Sequence, residues 1–561
     1  MSIELISKNL TQLINYPYLI LTSFVWLTYH RSLKCGFVSD DIPGIAEYDG
    51  KLQGLEYGML SRWIRYWICG GNFPSGKFYL DQTGKSTSIP ILQGKVPWRH
   101  HLLSIIIFNL AIIAGYPFLS SILGPKIALM SLILLIVHPL TTQVVAWPSG
   151  LGYPLSLFWM FCSLNLVNWY YSLYDPSIMT SVIVFVFFLV INLLAINALF
   201  IALMLWIILA YIGYYPFAIL SSIISFYLGF KIVKQTISMR TNEFKKQNMG
   251  GSTYIKPRKL IVATKTLWYY FRHILIPKRM GLYHEWGFHY DDSIERDDKE
   301  FIVSLIFIIS LICFFFMTNT LEIKFGIVWF ISFIFIFLNW ITIQQFVTER
   351  YAFVPCLGIM IFLSYYLQNY ILVYSFIIGG YMIRSIMHIP TYDNEIKFYQ
   401  SNIWNFPKSE VAYGNLGVSY LRIGMVGTAL DCWNTSIRIN PDYDVPYYNI
   451  YSHYRSNAFV QIQHGNFVPA IEMLKQASLI LEKCINAKIC HFKEQWTKEL
   501  NEIKVMISNP SLIIQNEIKR QQDLFTTLSI RRSKSTDPKD IEGIDQSLKD
   551  ITNNLKIMNN K

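Results

Sequence analysis

Eleven apolar stretches, near 14–30, 101–119, 124–138, 152–171, 179–197, 198–214, 216–233, 300–318, 323–341, 350–367 and 369–387, dominate the chain up to residue 389. A run of roughly 17–25 apolar residues lets one helix cross the hydrocarbon core of a bilayer. In lipid the backbone must satisfy its own hydrogen bonds, which helices do within one segment. The expectation is therefore an all-α polytopic membrane protein with about 11 transmembrane helices. The first stretch lacks a basic leading region and a small-residue cleavage site, so it reads as a retained helix and not a signal peptide. Composition agrees, because 53% of residues are hydrophobic and 15% charged, whereas soluble domains carry about 25% charged residues. Disordered, collagen-like and coiled-coil classes are excluded for the bulk of the chain.

Two long loops, 31–100 and 234–299, interrupt the membrane domain of residues 1–389. Between Lys231 and Met280 twelve Lys and Arg face one acid, Glu243. Over the whole chain 48 Lys and Arg against 36 Asp and Glu leave +12, a surplus that suits phosphate on lipid headgroups. No basic helix or RNA-type aromatic signature accompanies it, so nucleic acid is not an expected partner. The eight cysteines form no CxxC pair. Cys484, Cys490 and His491 offer two thiols and one imidazole, short of a zinc set, and the cysteines read as packing residues.

From residue 390 the chain turns soluble in character. Tyr413, Leu416, Gly417 and Tyr420 follow the spacing of a tetratricopeptide repeat, with Ala429, Trp433 and Pro441 at its small, aromatic and closing positions. Small residues let two helices approach, an aromatic fills the gap and proline stops the second helix. A looser copy runs through Tyr447, Ile450, Tyr454, Gly465, Asn466, Phe467 and Ala470. The reading is a helical repeat domain over 390–510, packed on flanking helices 392–405 and 493–507 or on the membrane domain, then a polar, mobile tail over 511–561.

Four segments carry candidate chemistry. Asp40 and Asp41 follow the first span; paired carboxylates serve a metal or a general base, or merely cap a turn. His138-Pro139 ends the third, where proline in an apolar run suggests a broken helix lining a cavity. Glu349-Arg350 sits between the ninth and tenth, mutually neutralised or aimed at a charged ligand. Trp268 to Arg279 mixes aromatic and basic residues as a headgroup-level segment needs. Span counting puts all four, and the repeats, on one side of the membrane.

This ordered set resembles the transmembrane and tetratricopeptide-repeat O-mannosyltransferases and their bacterial relatives, which have the GT-C glycosyltransferase fold. The matching residues are Asp40-Asp41, the His100-His101-Leu102 stretch with Asn109, His138-Pro139 with Val145-Ala146-Trp147 and Ser149, Tyr269-Tyr270 with Pro277, and Thr348-Glu349-Arg350-Tyr351 with Pro355, over roughly residues 30–485. The resemblance implies an inverting transfer of a mannose-like sugar from a polyprenyl-phosphate donor to a protein or glycan acceptor. It assigns the catalytic acid–base work to Asp41, with Asp40 as neighbour or cap and His138 as a weaker candidate. Arg350, Arg272, Lys278 and Arg279 are the candidates for the donor phosphate, and Glu349, Gln143, Trp147 and His100 support them. A divalent cation is compatible with it, although no metal ligands are assigned. Expected partners are membrane lipid, the lipid-linked sugar, and a protein acceptor or partner on the repeats. The implied location is the endoplasmic reticulum or bacterial inner membrane, with the repeats extracytoplasmic. The chain departs from the family at Gln143, where relatives carry Glu, and at Leu151 and Tyr153, where they carry Arg and an acid. A catalytically silent membrane scaffold is the alternative; a transporter would need duplicated halves.

Overall fold

The computed structural model describes residues 16–41, 68–69, 97–173, 177–198, 204–224, 227, 259–282, 284, 298–338, 347–486, 493–534 and 538–559. Among these the secondary structure is helical throughout. The helices are α1 (Pro17–Tyr29), α2 (Pro97–Leu123), α3 (Pro125–Val137), α4 (Thr142–Val145), α5 (Gly152–Ser172), α6 (Ile178–Ala198), α7 (Leu205–Tyr211) and α8 (Tyr215–Ile224). They continue with α9 (Lys259–Leu275), α10 (Asp298–Met317), α11 (Leu321–Ile334), α12 (Glu349–Leu367), α13 (Ile371–His388) and α14 (Glu395–Asn405). Most of loop 31–100 and residues 228–258 of the second loop lie outside the described residues.

The chain forms two compact units, the first running to Ala412 and the second comprising mainly Tyr413–Leu421 and Met425–Lys561. The expected boundary at 390 therefore shifts. Residues 389–405 belong with the first unit, where Gly36 donates its N–H to the Asp393 carbonyl at 3.1 Å. A Cβ on Gly36 would sit 2.6 Å from that oxygen, so the contact needs glycine.

Five described helices are long and apolar enough to cross a membrane: Pro97–Leu123, Pro148–Ser172, Lys299–Met317, Glu349–Leu367 and Ile371–Tyr392. A sixth candidate is the pair Pro125–Val137 and Pro139–Val145, bent by 60°. Several of the eleven expected stretches are shorter here, α1 having 13 residues and α11 having 14, while 199–203, 228–233 and 339–341 are not described.

The first unit is built around α3, which is apolar on every side and buried from Ile127 to Val137. α2 and α12 pack against it. α11 and α12 cross with their backbones almost touching: a Cβ on Gly358 would lie 2.4 Å from the Gly326 carbonyl and 2.6 Å from the Phe330 nitrogen. Small residues at such crossings let helices gain dispersion contacts that larger side chains would prevent. α10 and α13 present apolar side chains outward, among them Ile302, Ile306, Ile309, Phe316, Leu372, Phe376 and Ile383.

The bend after α3 follows from Pro139, which donates no N–H. His138 takes an extended conformation and its Nδ1 accepts the Leu140 N–H at 3.2 Å. Thr141 Oγ1 donates to the Leu135 carbonyl at 2.8 Å and Thr142 Oγ1 to the Pro139 carbonyl at 2.6 Å, so hydroxyls serve the backbone groups that the break releases.

The second unit holds most of α15 (Glu410–Arg422) together with α16 (Val426–Ile439), α17 (Asp444–Gln463), α18 (Phe467–Ile485), α19 (Lys493–Ser508), α20 (Pro510–Lys534) and α21 (Pro538–Asn559). The repeat positions named from the sequence meet. Trp433 Nε1 donates to the Gly414 carbonyl at 2.9 Å, and a Cβ on Gly417 would lie 2.4 Å from that nitrogen. Ala429, Trp433 and Ile450 form one buried cluster; Tyr447, Ala470, Leu474 and Cys484 form another with Trp496 of α19. Of the two expected flanking helices, α19 is thus in this unit and α14 is in the first. Cys490 and His491 are outside the described residues. The tail expected to be mobile is helical instead. Ile544 and Ile551, seven residues apart, give α21 a buried stripe, and Arg532 of α20 pairs with Asp545 of α21.

Candidate functional site

Asp41 is fully buried, and its neighbour Asp40 is exposed. The turn between them and Val38 explains the difference. Asp41 Oδ2 accepts the Val38 N–H at 3.1 Å, the Asp41 N–H donates to the Val38 carbonyl at 3.0 Å, and Ser39 sits at φ 53°. Asp41 Oδ1 also accepts from the Ser149 N–H at 2.7 Å and Ser149 Oγ at 2.6 Å. Val38 N–H, Ser149 N–H and Ser149 Oγ all donate to this carboxylate. Trp147 Nε1 donates to the Val38 carbonyl at 3.2 Å, and the Arg350 guanidinium lies over the Trp147 ring at 5.3 Å and the Tyr351 ring at 5.6 Å. His100 packs edge-on against Phe37 of the same segment at 5.3 Å. Asp41, Trp147, Arg350 and His100 thus form one contiguous group.

His138 stands apart from that group. Its Nε2 donates to the Ile274 carbonyl at 2.8 Å while Nδ1 accepts from Leu140, so both ring nitrogens serve the backbone.

Gln143 has a positional role that its lack of charge does not reveal. The Thr348 side chain does not cap α12. Gln143 Oε1 does so from another segment, accepting the Arg350 N–H at 2.6 Å and Thr348 Oγ1 at 3.2 Å. Gln143→Leu is expected to lower stability by about 1–3 kcal/mol because it removes the acceptor of both bonds, one of them buried. Gln143→Glu should restore most of the loss, since a carboxylate accepts equally well. Thermal unfolding of the detergent-solubilised protein checks both, and equal midpoints for all three chains would refute the capping role.

The second grouping surrounds a cavity of about 400 Å³ lined by Tyr269, Arg272, His273, Ile276, Lys278, Arg279, His284 and Phe406. α9 supplies most of one wall because its aromatic and basic residues recur on helical spacing. Phe271 packs on Phe307 of α10 at 4.4 Å, which leaves Tyr269, Arg272 and His273 toward the cavity. Arg272 also reaches Glu300 of α10 at 3.6 Å. Three of the four cations expected to meet a donor phosphate, Arg272, Lys278 and Arg279, line this one cavity. The fourth, Arg350, is stacked on Trp147 instead.

Beneath the cavity lies Glu349, the first residue of α12 and fully buried. Its Oε1 accepts the Gly281 N–H at 2.5 Å and lies 3.9 Å from His273 Nε2 and 3.7 Å from His284 Nε2. Both imidazole distances exceed a hydrogen bond. His284 is held below the usual histidine range, chiefly by burial and against the pull of Glu349. Sequence reasoning named Glu349 only as a supporting residue and missed the two histidines as a pair.

No family model matches the chain, and neither a curated protein nor a solved structure is similar to it.

Proposed function

We propose that this chain is a multi-pass integral membrane glycosyltransferase of GT-C-like architecture. It moves a mannose-like sugar with inversion from a polyprenyl-phosphate carrier to a protein or glycan acceptor, and binds the carrier phosphate in the cavity beside α9. The observation that carries the reading is the convergence of Arg272, Lys278 and Arg279 on one cavity. The apolar outward faces of α10 and α13 support the membrane setting, since apolar surface of that extent is unfavourable in water. As the resemblance implies, we take the face that carries the loops after the odd-numbered spans, and the repeat region with them, to be extracytoplasmic in an endoplasmic reticulum or bacterial inner membrane.

In the reaction a carboxylate takes the acceptor hydroxyl proton. The acceptor oxygen then attacks the anomeric carbon opposite the phosphate, the bond from that carbon to the phosphate oxygen breaks, and polyprenyl phosphate leaves with its charge held by the cations. Within the Asp pair the exposed group is Asp40; Asp41 fixes the turn that presents it.

The test uses purified protein in nanodiscs with sugar-labelled polyprenyl-phosphate mannose. Arg272→Gln with Arg279→Gln is expected to weaken donor binding about tenfold, a discounted value because Arg272 is half exposed and already near Glu300. Partition of the same variant into anionic liposomes should hold steady; equal loss of both would reduce the basic wall to general lipid attraction. A second reading rests on Gln143, Leu151 and Tyr153 and on the satisfied Asp41 carboxylate: a lipid-phosphate-binding scaffold without turnover. Donor binding with no transfer to any acceptor selects it.

A further inference from the structure

We infer that His273, His284 and Glu349 form a binding site for one divalent transition-metal ion of the zinc class, with an open coordination position facing the cavity. This goes beyond the transfer reaction, since the ion needs no sugar donor to bind.

The three side chains come from three places: α9, the loop after it, and the start of α12. One ligand atom from each lies within 4.8 Å of the others. All three residues are buried, and His273 Nε2, His284 Nε2 and Glu349 Oε2 have no hydrogen-bond partner among the described residues. A fully buried carboxylate with a single donor on one oxygen is costly. Two imidazoles held 3.7 and 3.9 Å away do not repair this by hydrogen bonding. An ion between them would. Tetrahedral zinc keeps ligand atoms roughly 3.3 Å apart, so the 3.7 and 3.9 Å separations from Glu349 Oε1 would shrink by about half an ångström, and the widest separation in the group, at most 4.8 Å, would shrink further.

The rings are already oriented. His284 Nδ1 is hydrogen-bonded to Tyr269 Oη. When the phenol oxygen accepts from Nδ1–H, the free lone pair is on Nε2, the nitrogen that faces Glu349. His284 stacks on Phe406 at 4.3 Å and His273 on Tyr269 at 5.6 Å, which limits ring rotation. A Cβ on Gly281, whose N–H holds Glu349 Oε1, would lie 2.6 Å from Asn402 Oδ1 and force that side chain to move.

Donor chemistry decides the class of ion. Two imidazoles and one carboxylate suit zinc, cobalt or iron(II), whereas magnesium and calcium take oxygen ligands. Three protein ligands leave a position open, as in reactive zinc sites and unlike closed structural ones. His273 and His284 line the cavity that Arg272, Lys278 and Arg279 also line, so the fourth ligand is an anion, and a phosphate oxygen fits.

The test strips full-length, tag-free protein with a chelator in detergent and titrates it with cobalt(II), read by visible absorption. One cobalt per chain is expected, displaced by zinc, with a spectrum that changes when inorganic phosphate is added. Glu349→Gln keeps an acceptor for the Gly281 N–H while removing charge. It and His284→Ala should each weaken cobalt binding by at least about 100-fold, more than loss of an outer partner costs. Size exclusion and helical circular dichroism confirm that each variant is folded. The site is refuted by an absent cobalt spectrum in the parent, or by parental affinity in a folded His273→Ala/His284→Ala chain. Cobalt binding without sugar transfer would keep this site and remove the transferase; transfer without cobalt binding would do the reverse.

Discussion

Asn in place of Asp40 is expected to lower sugar transfer by roughly 100-fold or more while leaving thermal stability at the parental value. The side chain is exposed, so an amide of the same size disturbs no packing. Asp41→Asn should fail in a different way. Its carboxylate receives Val38 N–H, Ser149 N–H and Ser149 Oγ. An amide offers one acceptor oxygen and turns its NH₂ toward a donor, which should cost about 1–3 kcal/mol and loosen the turn that presents Asp40. The paired measurements are turnover and thermal midpoint for each variant. Parental transfer by Asp40→Asn, with a folded but inactive Asp41→Asn, would return the role of base to Asp41. Parental transfer by both would remove the pair from the chemistry, and no transfer by the parent would favour the scaffold.

Gly358→Leu is expected to produce the largest loss of stability, at least about 3 kcal/mol. Even the first carbon of a side chain would overlap the Gly326 carbonyl and the Phe330 nitrogen, both backbone atoms that cannot swing aside. α11 and α12 would have to separate, and Glu349 and Arg350 begin the displaced helix. Gly380→Ala on α13 is the control, because a Cβ there meets nothing within 4 Å. That variant should be neutral or gain up to about 1 kcal/mol from helix propensity. Fluorescence-detected size exclusion after heating reads both, and a parental midpoint for Gly358→Leu would show that the crossing tolerates separation.

Local chemistry made part of this legible. The break at His138 could be read because Pro139 interrupts an apolar run, and the cationic wall because Arg272, Lys278 and Arg279 lie within eight residues of one another. Gly417 and Trp433 occupy two positions of the repeat expected from the sequence, and they are in contact. What the sequence hid depends on distance along the chain. His284 is eleven residues beyond His273 and has no periodic relation to it, and Glu349 lies 65 further on. No pattern links such positions until α12 is packed. From the sequence Gln143 stands out only as a departure from the family's Glu, while its importance comes from the carbonyl that it turns toward the Arg350 N–H. From the sequence Arg350 is expected to pair with Glu349 or to meet a donor phosphate, yet its guanidinium lies over the Trp147 and Tyr351 rings.

The carbonyls at the end of α9 have a consequence for affinity. Ile274 is held by His138, Leu275 by Tyr381 Oη at 2.9 Å and Lys278 by Arg384 at 3.1 Å. A surface helix ordinarily frays at this end, and a ligand that meets it must first still that motion. Here three side-chain donors, one buried, one half-buried and one at the surface, perform the ordering before any ligand arrives. Little of an anion's binding energy is then lost as entropy in assembling the wall.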